Sequence, residues 1–171
     1  MMSLHGYVEA EPELGKPDTG GQVVYVLELA KRFSRLGHYV DLVTRRFEDQ
    51  PAGDDEINEH LRIWRIPFGG DEFIRKEDMH DYLGDFVTNA LMSIRDRGRQ
   101  YNVVYSHYWD AGWSGQKIAE ELGNSSCSYP TLIGVVEAAQ HGGADMDPAE
   151  MEERYRFEER IRTEFLIYRT C

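Results

Sequence analysis

The feature that most constrains the fold is a change of hydrophobic period near the N-terminus. From Gln22 to Leu36 the apolar residues Val23, Val26, Leu27, Ala30 and Phe33 recur at the three- and four-residue spacing of an amphipathic helix, and Gly37 stands where a helix C′ residue belongs. Tyr39 to Thr44 then reads as a short strand centred on Val40, Leu42 and Val43. Ahead of the helix, Ser3-Leu-His-Gly-Tyr7 is a strand-like start, followed by a loop punctuated by Pro and Gly that runs from Val8 through Asp18-Thr-Gly-Gly21. Strand, helix and strand make a βαβ unit, whose crossover implies parallel strands.

The alternation repeats. After an acidic, Gly-containing loop near Pro51 to Glu59, Leu61 to Ile66 alternates as a strand, Met79 to Ile94 has the period of an amphipathic helix, and Asn102 to Ser106 reads as a third strand. A short helix from Gly112 to Leu122 follows, then a less patterned stretch from Asn124 to Ala144 with a strand near Thr131 to Val136. A long charged helix is expected from about Pro148 to Arg169, with Phe157, Ile161, Phe165 and Tyr168 as its apolar stripe. These elements predict an α/β fold with a Rossmann-like, doubly wound parallel sheet and ligands at the C-terminal ends of its strands. A chain of 171 residues with 41% hydrophobic residues suffices for one domain with its own core, so residues 1–171 are read as a single domain.

Charge narrows the partners. With 19 Lys+Arg against 31 Asp+Glu the formal charge is −12, which argues against nucleic acid or an anionic membrane as partner, since both are bound through clustered cations. No apolar run approaches the ~20 residues of a membrane helix. Met1 to Ala10 lacks both the charged and the apolar regions of a signal peptide, and a cytoplasmic protein is expected. Cys127 and Cys171 lack zinc-type spacing and read as reduced, inert thiols. The chain has no GxSxG, HExxH, P-loop lysine or GxGxxG motif, so hydrolase, zinc-protease, ATPase and dinucleotide-oxidoreductase readings lack their local signatures.

Three constellations carry the chemistry. Asp18-Thr-Gly-Gly-Gln22 lies between the first strand and its helix; it reads either as a tight turn capped by Asp18 or Thr19, or as a loop whose glycines admit a ligand to the helix N-terminus. His107-Tyr-Trp-Asp110 follows the third strand, where exposed polar and aromatic residues suit sugar recognition, while the plainer reading makes Tyr108 and Trp109 packing residues and Asp110 an N-cap. Arg156 and Arg160, four apart on a helix, would either clamp a phosphate or belong to a solvated ladder with Glu152 and Glu164. His5, His107 and His141 have no metal-ligand spacing; no metal is assigned and no cofactor is expected, although His5 and His107 end strands and would line a site there.

Several segments taken in order resemble a known family: Ser3-Leu-His-Gly-Tyr7, Asp18-Thr-Gly-Gly-Gln-Val-Val-Tyr-Val-Leu-Glu-Leu-Ala30, Ile66-Pro-Phe-Gly-Gly70, Phe73-Ile-Arg-Lys-Glu77, His107-Tyr-Trp-Asp-Ala-Gly112 and Tyr155-Arg-Phe-Glu-Glu-Arg-Ile161. They are similar to the N-terminal half of the sucrose synthase and sucrose-phosphate synthase group of retaining glycosyltransferases (family 4). The run from Asp41 to Pro51 looks most like the bacterial mannosylfructose-phosphate synthase branch. The resemblance implies a GT-B protein with two Rossmann-like domains, of which this chain is the acceptor-binding N-terminal one. Gly20, Gly21 and Gln22 would then line the acceptor pocket and the approach to the donor diphosphate. Lys76 and Tyr108 would hold the sugar phosphate, with Arg156 and Arg160 near it. The implied reaction moves a hexosyl group from a nucleotide sugar, UDP-glucose or GDP-mannose, onto fructose 6-phosphate or fructose with retention and without a metal.

Two departures from the family qualify this expectation. Where the family carries Thr-Pro-His-Ser-Leu-Gly and a following Lys, this chain reads Tyr129-Pro-Thr-Leu-Ile-Gly134 with Glu137, so Thr131, Leu132 and Glu137 stand in place of His, Ser and Lys. A carboxylate beside a phosphate repels it, and a scrambled segment between intact flanks fits compensating frameshifts as well as divergence. The chain also stops at Cys171, where relatives continue into a nucleotide-sugar domain. The 171-residue polypeptide is therefore expected to have no transferase activity alone. The alternative is a non-catalytic sugar-phosphate-binding or interaction fragment of a disrupted gene.

Overall fold

The computed structural model describes residues 1–11 and 20–129, together with 149, 152, 153, 156, 158, 161 and 162. Its helices are α1 (Gly21–Arg35), α2 (Leu83–Asp96) and α3 (Tyr108–Leu122), with a 3-10 helix at Lys76–Tyr82. Its strands are β1 (Val40–Arg45), β2 (Asp54–Asn58), β3 (Leu61–Ile66), β4 (Val103–His107) and β5 (Ser125–Tyr129). β1 pairs in parallel with β3, from Val40 opposite Leu61 to Arg45 opposite Ile66, and β4 pairs in parallel with β5.

The N-terminal residues join these two groups. Met2 bridges in parallel to both Val43 and Ser106. The Met2 N–H donates to the Tyr105 carbonyl at 2.8 Å and the Ser3 N–H to the Val43 carbonyl at 3.1 Å, while the His107 N–H donates back to the Met2 carbonyl at 2.9 Å. The resulting order is β2-β3-β1, the N-terminal segment, then β4-β5. All neighbours run parallel except β2, which forms an antiparallel edge on β3. The chain starts in the middle, winds out through β1 and β3, and returns to β4 on the other side. The switch point of the doubly wound sheet therefore lies between the first segment and β4.

The period-2 alternation decides which helix each strand residue meets. Val40, Leu42, Leu61 and Ile63 pack with Val23, Val26, Leu27 and Ala30 of α1 on one face. Val43, Trp64 and Ile66 pack with Phe86, Ala90 and Ile94 of α2 and with Ile118 and Ala119 of α3 on the other. α3 lies especially close to the sheet because Gly115 has no side chain. A Cβ there would run into the Ser106 hydroxyl and come within 3.2 Å of Val104 Cγ1.

Several expected boundaries shift for physical reasons. The acidic loop near Pro51 to Glu59 contains β2, whose residues are largely half-exposed or exposed and so carry little apolar alternation. The helix expected over Met79 to Ile94 is a 3-10 helix followed by α2. The third helix starts four residues before Gly112, directly on the end of β4. In the less patterned stretch the strand is β5; the strand expected near Thr131 to Val136 lies outside the described residues. Most of the expected last helix also lies outside them, but Arg156 has φ +49 and is not helical, so a continuous helix through it is not formed.

Candidate functional site

The C-terminal ends of the first segment and of β4 bring His5, His107, Tyr108 and Asp110 to the switch point, and the N-terminus of α1 faces them through Gln22. Gly20 is the N-cap of α1, with extended backbone and no side chain to offer as a cap. The capping reading is thereby corrected in its position; Asp18 and Thr19 lie outside the described residues. Gly20 and Gly21 are exposed, and a Cβ on either would meet nothing within 4 Å among the described residues. Packing against the described residues therefore does not demand glycine at either position. The first N–H groups of a helix have no intrahelical acceptor, so this end is an opening onto polar donors.

Tyr108 opens α3 with φ +73, a left-handed conformation that costs a bulky residue on the order of 1 to 3 kcal/mol and concentrates at functional sites. Its ring sits edge-on to His5 with centroids 4.4 Å apart, and the Lys76 ammonium lies 5.7 Å above it. Lys76 and Tyr108, which the resemblance assigns to one sugar phosphate, thus lie side by side. Tyr108 and Trp109 are both 2% exposed, so the packing reading holds for both, and Trp109 stacks on His80 at 4.0 Å.

Asp110 is fully buried in the first turn of α3 and is not its N-cap, which is His107, three residues earlier. Its Oδ1 accepts the Ala111 N–H at 2.6 Å, and its Oδ2 lies 2.8 Å from His5 Nδ1. His5 Nε2 in turn lies 3.2 Å from Gln22 Oε1. His107 is buried with neither ring nitrogen bonded among the described residues, and burial lowers its pKa to about 4, so the ring is neutral at pH 7.

Arg156 Nη1 donates to Asp81 Oδ1 at 3.1 Å and Nη2 to Asp81 Oδ2 at 3.5 Å, which ties this residue to the 3-10 helix that begins at Lys76. The helical ladder with Glu152 is not its arrangement. Arg160 lies outside the described residues, as does His141.

A feature that sequence reading missed is Arg45 at the end of β1. Fully buried, it donates from Nε to the Phe68 carbonyl at 3.1 Å and from Nη2 to the carbonyls of Gly70 and Glu72 at 3.0 and 2.7 Å. It thereby fastens the loop that leads from β3 to Lys76. The only sequence signal was a basic pair, Arg45-Arg46, at a strand end.

A helix N-terminus, a left-handed aromatic and a cation thus meet at the switch point of a doubly wound α/β sheet, where ligands of such sheets are expected. The sequence pattern of the glycosyl transferase 4-like domain matches residues 20–164. Mannosylfructose-phosphate synthase from Agrobacterium fabrum is 46% identical across 100% of this chain and 38% of its own length. A probable sucrose-phosphate synthase from Thermosipho melanesiensis is 36% identical across 86% of this chain and 36% of its own length. Among solved structures, sucrose-phosphate synthase from Thermosynechococcus elongatus superposes with a TM-score of 0.78 at 23% identity, over 97% of this chain and 39% of that one, and so shares the fold. The chain belongs to the glycosyl transferase 4-like family. It spans 38% and 36% of the length of the two curated relatives.

Proposed function

We propose that residues 1–171 supply the acceptor-binding part of a retaining hexosyltransferase that moves a hexosyl group from UDP-glucose or GDP-mannose onto fructose 6-phosphate. The nucleotide-sugar domain is assigned, on the family resemblance alone, to the portion of the relatives that this chain does not span. The observation that carries the reading is the convergence of Gln22, Tyr108 and Lys76 at the switch point, beside a helix end opened by Gly20 and Gly21. The names of two relatives, mannosylfructose-phosphate synthase and sucrose-phosphate synthase, support a phosphorylated sugar product.

The chemistry is one of positioning. A sugar phosphate brings a dianion that a chain of charge −12 binds only where cations are concentrated. Lys76 supplies one, and Arg156 a second once the phosphate replaces Asp81 as its partner. Gln22 and the first N–H groups of α1 hold sugar hydroxyls and orient the one that attacks. Arg160 is assigned to the same phosphate on the family resemblance alone.

Calorimetric titration tests the reading. Fructose 6-phosphate is expected to bind more tightly than fructose, and Lys76→Ala to narrow the gap. Equal affinity for the two sugars, or no binding of either, refutes it. The substitutions Thr131, Leu132 and Glu137 favour a second reading, a non-catalytic sugar-phosphate-binding fragment. That reading predicts the same titrations, with no hexosyl transfer even when the remainder of a relative is supplied.

A further inference from the structure

Three side chains from three separate elements form one line at the switch point. His5, just after the first strand, contacts Asp110 of α3 through Nδ1 at 2.8 Å and Gln22 of α1 through Nε2 at 3.2 Å. Asp110 is fully buried and His5 is 6% exposed. The other Asp110 oxygen is held by the Ala111 N–H at 2.6 Å, so both oxygens are engaged and the carboxylate has a fixed direction.

An ionised carboxylate only accepts, so His5 Nδ1 carries the proton between them. With Gln22 Oε1 facing Nε2, that nitrogen also donates, and Asp110 is the counter-charge of the ring. The effect falls on Gln22. An amide held by its oxygen must present its amino group elsewhere, and Gln22 Nε2 is buried with no partner among the described residues. A buried donor without an acceptor is unfavourable until a ligand oxygen reaches it.

We propose that Asp110 and His5 are positioning residues that hold the Gln22 amide with its amino group turned to the acceptor, so that this end of the site donates to a sugar oxygen. The assignment rests on the acceptor-binding reading above.

A double-mutant cycle titrated with fructose 6-phosphate tests it. His5→Asn keeps a donor for Asp110 but cannot reach Gln22. Gln22→Ala and His5→Asn are each expected to weaken binding about tenfold, the worth of one hydrogen bond. The double variant should be no weaker than Gln22→Ala alone, because His5 acts through Gln22. A His5→Asn effect that is absent, or that adds fully to Gln22→Ala, overturns the positioning role. No binding by the wild-type chain, or unchanged affinity in Gln22→Ala, overturns the acceptor reading instead. Nitrogen-15 shifts of His5, assigned by their loss in His5→Asn, decide the proton arrangement without ligand. The two contacts require a proton on each ring nitrogen in the folded chain, and a bare Nε2 overturns the proposal.

Discussion

Replacing Arg45 by methionine tests whether a buried cation organises the approach to Lys76. The guanidinium is fully buried and donates to three carbonyls, those of Phe68, Gly70 and Glu72. It also lies over the Phe47 and Phe68 rings at 4.9 and 5.5 Å. Two effects compete in Arg45→Met. Burial disfavours the charge, as the lowered pKa of Arg45 reflects, so removing it recovers desolvation energy. Against this, the three carbonyls remain after the donor is gone. Orphaning the acceptor of the fully buried bond to Phe68 costs roughly 1 to 3 kcal/mol, and the two part-buried acceptors, which water partly reaches, add about 0.5 to 1.5 kcal/mol each. The acceptors outnumber the charge, and a net loss of roughly 2 to 4 kcal/mol is expected. Arg75→Ala is the control, since its pair with Asp78 is exposed on both sides and such pairs contribute under about 1 kcal/mol. Urea unfolding at constant slope measures both. Arg45→Met within about 1 kcal/mol of the wild type would refute the reasoning, because desolvation would then have offset every lost hydrogen bond.

Other consequences are more local. Gly115→Ala should destabilise by about 1 to 3 kcal/mol, since the new methyl meets the Ser106 hydroxyl; a thermal melt unchanged within error would show that α3 can move off the sheet. For His107 the folded pKa of about 4 lies below the ordinary value of 6.5, so the unfolded chain binds the proton first as pH falls. Stability is therefore full above about pH 6.5 and is lost toward pH 4 by at most about 1.4 kcal/mol per pH unit, and His107→Phe should flatten that part of a pH-dependent unfolding series. Asp81→Ala removes the partner that competes for Arg156. Since an exposed pair contributes about 0.2 to 1 kcal/mol, fructose 6-phosphate should bind roughly 1.4- to 5-fold more tightly, and weaker binding would count against a phosphate role for Arg156.

Much of the layered fold was legible in the sequence because hydrophobic period is a local property. Val23, Val26, Leu27 and Ala30 mark α1 by spacing alone, and Leu61 to Ile66 marks β3 at its observed bounds. β2 escaped because Asp54-Asp-Glu-Ile-Asn58 is an edge strand formed by pairing with β3, so its own residues carry no buried face to read. The start of α3 escaped because Tyr108 has a left-handed backbone that no propensity favours.

The candidate site divides along the same line. Residue types at strand ends, His5 after the first segment and His107 to Asp110 after β4, were visible in the sequence because a βαβ repeat puts ligand-facing loops there. Their pairings were not visible. His5 and Asp110 are separated by 105 positions and meet only because the first segment lies beside β4. Arg45 drew no notice in the sequence because its partners are backbone carbonyls of the loop after β3, which no side-chain pattern marks. Periodicity is written residue by residue, so the sequence by itself determined the layers. Burial and proton partners depend on which distant segments close on one another, so only the tertiary structure decided them.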